Sequence, residues 1–319
     1  MAKETKNKRM IMAKVAFNTL GCKVNQYETE SMMAQFEARG YETVAFAEVA
    51  DVYIVNTCTV TNMADKKSRQ MLSKAKKNNP GGLVVAVGCY VQAAQEALDK
   101  VENVDLLVGN TDKGKIVDVV EGYLDQNNIP KVTDLTKYNT YDDMWLTHES
   151  GHTRVHIKVQ DGCDQFCSYC IIPFARGRIR SREGASVIEE VKGLVAKGYE
   201  EIVLTGIHLA SYGVQFDNYL LIDLLEDLDD IDGLKRVRLG SLEPTLVTKP
   251  FAQRLSRLTK VCDHFHLSMQ SGDDEILAMM NRNYTTEAYA EAVETLRIIL
   301  PNCAITTDLI VGFPGESAV

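Results

Sequence analysis

Cys163-Asp-Gln-Phe-Cys167-Ser-Tyr169-Cys170 sets three thiols within eight residues, and the run continues Ile-Ile-Pro-Phe-Ala-Arg-Gly-Arg. Thiols this close converge on one centre only if the backbone makes a tight loop. The residues just before, Arg154 to Gln160 (Arg-Val-His-Ile-Lys-Val-Gln), alternate apolar and polar side chains, the period of a strand. The sequence therefore reads as a strand feeding a metal-binding loop. Structural zinc sites and simple electron-transfer clusters close with four protein ligands. Three ligands leave one metal position open, where a small molecule can bind and react. An iron–sulfur cluster is the leading reading; zinc completed by His152 or His156, and a bare redox pair, are the alternatives.

A CxxxCxxC run with an aromatic, Tyr169, before its last cysteine resembles the signature of the radical S-adenosylmethionine (SAM) superfamily. The resemblance implies that Cys163, Cys167 and Cys170 hold a [4Fe–4S] cluster whose open iron chelates the amino and carboxylate groups of SAM. One electron then splits SAM to a 5′-deoxyadenosyl radical. The protein's share of such chemistry is placement and shielding.

The bulk composition is that of an ordinary globular protein. The 319 residues are 45% apolar and 25% charged, enough for two domains with buried cores. No apolar stretch reaches the ~18 residues of a membrane span, and no secretory signal follows the charged start Met-Ala-Lys-Glu-Thr-Lys-Asn-Lys-Arg. A cytoplasmic location is expected, where eight cysteines mean metal or catalysis and not disulfides. The net charge of −9 argues against general nucleic-acid binding, although a local basic patch can override it.

Residues 14–125 repeat one pattern. Lys14–Leu20, Val52–Thr57 and Leu83–Val87 are β-rich and end at Gly21-Cys22, Cys58 and Gly88-Cys89. Helix-like segments follow at Tyr27–Arg39, Asn62–Lys77 and Val91–Lys100. Repeated strand–turn–helix units predict an open parallel α/β sheet, whose strand C-termini share one edge, the edge where such sheets bind ligands. Cys22, Cys58 and Cys89 should meet there as a second three-thiolate site. Asn18, Asn25, Asn56 and Thr57 flank it, as supports for the ligands or as ordinary turn and N-cap residues.

The runs Leu-Gly-Cys22-Lys-Val-Asn-Gln-Tyr-Glu-Thr-Glu, Asn56-Thr-Cys58-Thr-Val-Thr and Gly88-Cys89-Tyr-Val-Gln are similar to the N-terminal domain of the methylthiotransferases. These two-cluster radical SAM enzymes place a methylthio group on an unactivated C–H bond. One subgroup modifies isopentenyladenosine in tRNA, one an aspartate of a ribosomal protein, and one threonylcarbamoyladenosine in tRNA. The Cys-Lys-Val-Asn run, and Thr205-Gly-Ile-His-Leu-Ala-Ser-Tyr-Gly further on, resemble the third. The implied cofactors are two [4Fe–4S] clusters and SAM. The implied partners are a tRNA substrate and an electron donor such as flavodoxin or ferredoxin, with the chain a monomer.

Residues 126–150 are polar and acidic and read as a linker, with a short strand around Lys131–Asp134. From Gly151 strands are expected at Val155–Gln160, Glu201–Leu204, Arg236–Leu239, His264–Met269 and Ala304–Val311, with helices between them. Ser186-Val-Ile-Glu189 reads as a capping box opening the first helix. Alternating β and α segments predict a partial TIM-type barrel over 151–319, with functional groups at the strand C-termini. The domains expected are thus 12–125, a linker over 126–150, and the barrel. The resemblance implies SAM contacts from Tyr169, Gly206, Glu243 and Gln270. Arg176, Arg178, Arg180 and Arg182 alternate, and if extended would offer one face to RNA phosphates. His208, His264 and His266 read as ordinary core or rim histidines. In the family, Gly-Phe-Pro-Gly-Glu precedes another βα unit and a TRAM domain. This sequence ends at Val319, so truncation is expected.

Overall fold

A computed structural model describes residues 13–94, 103–126, 131–135, 138–146 and 153–317. The chain divides into two compact units, Met1–Ser150 with Phe174–Gly177, and Gly151–Pro173 with Arg178–Val319.

The first unit is built on a five-stranded sheet ordered β2-β1-β3-β4-β5, parallel throughout. Its strands are β1 (Lys14–Thr19), β2 (Glu42–Val44), β3 (Val52–Thr57), β4 (Leu83–Gly88) and β5 (Leu106–Val108). β3 and β4 lie at the centre and every residue in them is buried. That is why Val-Tyr-Ile-Val and Leu-Val-Val-Ala-Val are continuous apolar runs and not alternating ones. The helices are α1 (Lys23–Ala38), α2 (Asn62–Asn78), α3 (Cys89–Ala93) and α4 (Ile116–Gln126). Phe36 of α1 meets Phe17 and Tyr41 edge-on at 5.8 and 4.9 Å. Thr61 starts α2 by accepting a hydrogen bond from the Ala64 amide. Leu72 and Ala75 of α2 then join Tyr53, Val55 and Val84 in the core. Burying Leu72 completely contributes about 1.5–3 kcal/mol.

Two expectations change here. The helix expected from Val91 begins at Cys89, and its part beyond residue 94 lies outside the described residues. Lys131–Asp134 forms no strand. The Thr133 carbonyl accepts from the Gln92 side chain, 2.8 Å away, in place of a ladder partner.

The second unit carries β6 (Val155–Asp161), β7 (Arg180–Ser181), β8 (Glu201–Gly206), β9 (Arg236–Leu239), β10 (His264–His266) and β11 (Ala304–Thr306). β6, β8 and β9 are parallel neighbours, with the short β7 antiparallel on the outer edge of β6. β10 and β11 form a parallel pair, and single parallel bridges, Val237 to Val261 and Leu242 to Leu267, carry the progression from β9 toward it. Helix α5 (Ile172–Arg176) is divided, its residues from Phe174 on belonging to the first unit; helices α6 (Gly184–Ala196), α7 (Leu221–Asp229), α8 (Lys249–Leu255), α9 (Asp274–Met279) and α10 (Thr286–Ile299) intervene. Strands that follow chain order in parallel, each separated by a helix, make this a partial β/α barrel. β10 and β11 are shorter than expected. Beyond His266 the chain keeps only isolated bridges, one joining Gln270 to Leu309. The capping box is also displaced: α6 starts at Gly184, two residues before Ser186, and the Ser186 hydroxyl accepts from Arg182 Nε instead.

Candidate metal centres

The cysteine loop leaves the end of β6 through Gly162, whose φ of +71° turns the chain. Phe166 also sits at positive φ, +49°, a costly conformation for a bulky residue. The segment after α9 holds it there. Asn281 Nδ2 donates to the carbonyls of Gln165 and Phe166, both at 3.0 Å, and Asn283 Nδ2 donates to Gln165 Oε1. The Ser168 amide and hydroxyl donate to the carbonyls of Met280 and Met279. So curled, the loop turns Cys163, Cys167 and Cys170 into one cavity of about 150 Å³, which Gln165, Tyr169, His208, Glu243 and Arg282 also line.

The electrostatics of this cavity are organised around Glu243, which is buried. Its Oε2 lies 2.9 Å from His208 Nε2 and 3.2 Å from Gln165 Nε2, and its Oε1 lies 3.0 Å from Arg282 Nη2. Burial works to raise its pKa, but the His208 hydrogen bond and charge, with the Arg282 guanidinium, hold the carboxyl below the usual range. Arg282 also donates from Nη1 to Cys167 Sγ at 3.1 Å and stacks over the Tyr284 ring at 4.9 Å. Burial, reinforced by the neighbouring Cys167 and Cys170, pushes the Cys163 thiol up to about 11. Tyr169, pushed up to about 12 mainly by burial, meets Phe313 edge-on at 6.4 Å.

Of the expected SAM contacts, Tyr169 and Glu243 line the cavity and Gly206 and Gln270 are not among its lining residues. A Cβ on Gly206 would lie 3.0 Å from Gln160 Cβ, so this glycine permits β6 and β8 to pack closely. Gln270, at φ +68°, has its amide donating to Asp308 and its carbonyl accepting from Ile310.

The arginine run departs from expectation. Arg176 ends a helix, and Arg176, Arg180 and Arg182 are buried against carboxylates and carbonyls. Arg180 Nη1 donates to the Arg178 carbonyl at 2.8 Å and its Nη2 lies 3.5 Å from Asp161, and Arg182 pairs with Glu190. Only Arg178 of the four is exposed, beside Asp164 and over the Phe166 ring at 4.9 Å. A buried guanidinium needs its counter-charge inside the fold, so these side chains turn inward. His208, read from sequence as a core or rim histidine, lines the cavity, and Arg282 carries no sequence signal beyond an Asn-Arg-Asn triplet.

The other trio lies in the first unit. β1, β3 and β4 are consecutive in the sheet, and Cys22, Cys58 and Cys89 follow their C-terminal ends. Neighbouring strands run about 4.8 Å apart, so thirty-residue separations collapse to adjacent positions. A Cβ on Gly21 would lie 2.8 Å from Cys58 Sγ, which places that sulfur against the Gly21-Cys22 turn. Burial raises the Cys58 thiol, and Cys89 and Cys22 add to the shift, as thiols grouped together do. Ser68 of α2 fixes the Cys58 backbone, accepting from its amide and donating to its carbonyl. Asn110 Nδ2 lies 4.0 Å from Cys89 Sγ and donates to the Ala175 carbonyl at 2.7 Å. Its buried Oδ1 has no hydrogen-bond partner.

All eight cysteines are free thiols. Both groups of three are uncommitted to disulfides, and three thiols are the donor set that a cluster with one open iron would take. Among the described residues no three His, Cys, Asp or Glu side chains close on a single metal ion. His156 lies buried within β6, and His152 lies outside the described residues.

Residues 14–109 match the family described as Uncharacterized protein family UPF0004, and residues 157–318 match the Radical SAM superfamily. The chain is similar to the threonylcarbamoyladenosine tRNA methylthiotransferase MtaB of Bacillus subtilis, 42% identical over 308 residues, covering 96% of this chain and 68% of that protein. It is also 42% identical to the MtaB of Aquifex aeolicus, covering 95% of this chain and 74% of the relative. The tRNA-2-methylthio-N(6)-dimethylallyladenosine synthase of Moorella thermoacetica is 36% identical, over 97% of this chain and 71% of that protein. Among solved structures, the radical S-adenosylmethionine methyltransferase TsrM of Kitasatospora setae superposes with a TM-score of 0.70 at 18% identity, over 96% of this chain and 69% of that one, a likeness of fold.

Proposed function

This chain belongs to the radical SAM methylthiotransferase family, of the MtaB type, and we infer that it converts N6-threonylcarbamoyladenosine, on the 3′ side of the tRNA anticodon, to its 2-methylthio derivative. The observation that carries this reading is the presence of two free cysteine trios in one chain, one in a barrel loop and one at the edge of a parallel sheet. A single trio would suit SAM cleavage alone; a second suits a reaction that also delivers sulfur.

Cys163, Cys167 and Cys170 would hold the cluster that binds SAM, and Cys22, Cys58 and Cys89 a second [4Fe–4S] cluster. When bound, these groups supply one-electron SAM cleavage and a site for the transferred sulfur. The chain's own residues set the conditions. Glu243, kept ionised by His208 and Arg282, offers a buried carboxylate to a cationic group of SAM, while Arg282 donates a hydrogen bond to Cys167 Sγ. Tyr169 and Ile172 narrow the cavity and limit water near a reactive species. Arg178, the exposed arginine of its run, would meet an RNA phosphate. An electron donor of the flavodoxin or ferredoxin kind, a monomeric state and a cytoplasmic location complete the proposal. Among the described residues no helix is long and apolar enough to cross a membrane.

Mass spectrometry of tRNA nucleosides from cells lacking the gene tests the substrate. Loss of 2-methylthio-threonylcarbamoyladenosine, restored by the gene but not by a Cys58→Ala copy, is the expected result. An unchanged level contradicts the assignment. Loss of the methylthio-isopentenyladenosine pool in its place moves the chain to the sister activity.

A further inference from the structure

Beneath the strand-end trio lies a group of charges that cluster ligation by itself does not require. Glu28 of α1, Lys113 and Arg176 are 1, 0 and 0% exposed. The Glu28 carboxylate bridges the two cations: Oε1 accepts from Arg176 Nη1 at 2.8 Å, and Oε2 accepts from Arg176 Nη2 at 3.0 Å and Lys113 Nζ at 2.5 Å. Burying three ionised groups is costly, and such a set is weak evidence for stability on its own. Its outward connections show what it holds.

Each cation grips one asparagine. Arg176 Nη2 donates to Asn25 Oδ1 at 2.5 Å, and Asn25 Nδ2 donates to the carbonyls of Leu20 and Thr57 at 2.7 and 3.0 Å. Leu20 precedes Gly21-Cys22, and Thr57 precedes Cys58. Lys113 Nζ donates to Asn56 Oδ1 at 3.1 Å, while Asn56 Nδ2 donates to the Asn25 carbonyl and to Thr29 Oγ1. The same Asn56 Oδ1 lies so close to Gly88 that a Cβ there would meet it at 2.6 Å, and Gly88 precedes Cys89. The strand ends before Cys22 and Cys58 are thus hydrogen-bonded, and the one before Cys89 is packed, against two carboxamides that one carboxylate's partners hold.

We propose that Glu28, Lys113 and Arg176 form a positioning hub for Cys22, Cys58 and Cys89, acting through Asn25 and Asn56, and that its two cations against one carboxylate also set the electrostatic field on the cluster those cysteines hold. The proposal rests on the reading of that trio as a cluster site. The hub accounts for the orientation of both amides: each oxygen faces a cation, so each nitrogen faces a strand-end carbonyl or a helix acceptor. It also gives Arg176 a role. Six residues after Cys170 in sequence, it serves the other cysteine trio.

The experiment uses the full chain with Cys163, Cys167 and Cys170 replaced by Ala, which leaves the strand-end trio as the only cluster site. After anaerobic reconstitution, three readings are taken: circular dichroism for folding, iron retained against a chelator, and the midpoint potential by EPR-monitored titration. In this background Lys113→Met and Arg176→Met are expected to lose iron about 10–100-fold faster than the parent, the usual range for partners that orient metal ligands. Their potential should move negative, because a buried cation favours the added electron. Lys113→Arg and Arg176→Lys keep the charge and should hold the potential near the parent's. Asn25→Ala leaves the ion pairs in place and keeps the test decisive if the charge variants fail to fold; it should also lose iron faster, at unchanged potential. Retention within twofold of the parent in Asn25→Ala, or an unshifted potential in folded Lys113→Met and Arg176→Met, overturns the hub. A parent that takes up no iron overturns the cluster assignment itself, and the hub with it.

Discussion

The two cysteine trios reach the same donor set by opposite routes. Cys163, Cys167 and Cys170 are neighbours in sequence, gathered by one loop that the residues after α9 pin from outside. Cys22, Cys58 and Cys89 are strangers in sequence, gathered by three adjacent parallel strands and tied from within by buried charge. The local site needs loop geometry, including a non-glycine residue at positive φ; its backbone ties are neutral hydrogen bonds at an exposed rim, and one guanidinium, Arg282, reaches Cys167 Sγ. The distant site needs the whole sheet to be formed first. Disturbing the second should therefore damage the fold as well as the site, whereas disturbing the first should damage the site alone.

The largest expected effect comes from Glu28→Gln, which leaves two buried cations without their carboxylate. Removing one member of a buried ionic set costs about 3–5 kcal/mol, and denaturant unfolding should record a loss of that size. A loss below about 1 kcal/mol would mean that the sheet edge does not depend on the hub. Next is Gly88→Ala. Gly88 adopts φ +99° and ψ −161°, a region open essentially to glycine, and the added methyl would also meet Asn56 Oδ1. Together these should cost at least about 1–3 kcal/mol and reduce iron at the strand-end trio. In the loop, Asn281→Gly keeps the left-handed backbone at φ +58° but removes two hydrogen bonds to the cysteine loop. About 1–2 kcal/mol is expected from two exposed bonds. The iron on Cys163, Cys167 and Cys170 should become labile while the other trio keeps its own.

The smallest effect belongs to neither trio and sets a baseline. Burial works to raise the Glu201 pKa, but hydrogen bonds from Arg236 and Arg238 outweigh it and hold the carboxyl below its usual range. A depressed folded pKa adds stability that is complete above the unfolded value, about 4.3, and is lost as pH falls through the folded one. The stability difference between the parent and Glu201→Gln should be under about 1 kcal/mol near neutrality. Unfolding series from pH 7 to 3 should show it shrinking toward the acid end. A difference that grows on acidification contradicts the pairing.

The same contrast explains what could be read from sequence. Spacing alone exposed the loop trio, because Cys163, Cys167 and Cys170 sit within one turn of chain. The strand-end trio was legible through topology, since parallel strands must bring their C-termini to one edge wherever the cysteines lie along the chain. β3 and β4 showed themselves as unbroken apolar runs; β2 and β5, three residues each, are too short to display a period. Side-chain direction was the illegible part. Arg176, Arg180 and Arg182 look like an exposed basic face in sequence, and only the fold shows that Glu28, Asp161 and Glu190 draw them inward. Lys113 and Arg282 were invisible for the same reason: their partners lie 85 and 39 positions away. His208 looks unremarkable until Glu243 is placed beside it.

The central claim is that one chain carries two cluster sites with different duties. Mössbauer and EPR spectroscopy of the anaerobically reconstituted full chain, with and without SAM, tests it most directly. Two [4Fe–4S] clusters predict about eight irons per chain, with SAM changing only the signal that disappears in the Cys163→Ala/Cys167→Ala/Cys170→Ala variant. Four irons per chain, or one zinc held stoichiometrically with no sulfide, would contradict it.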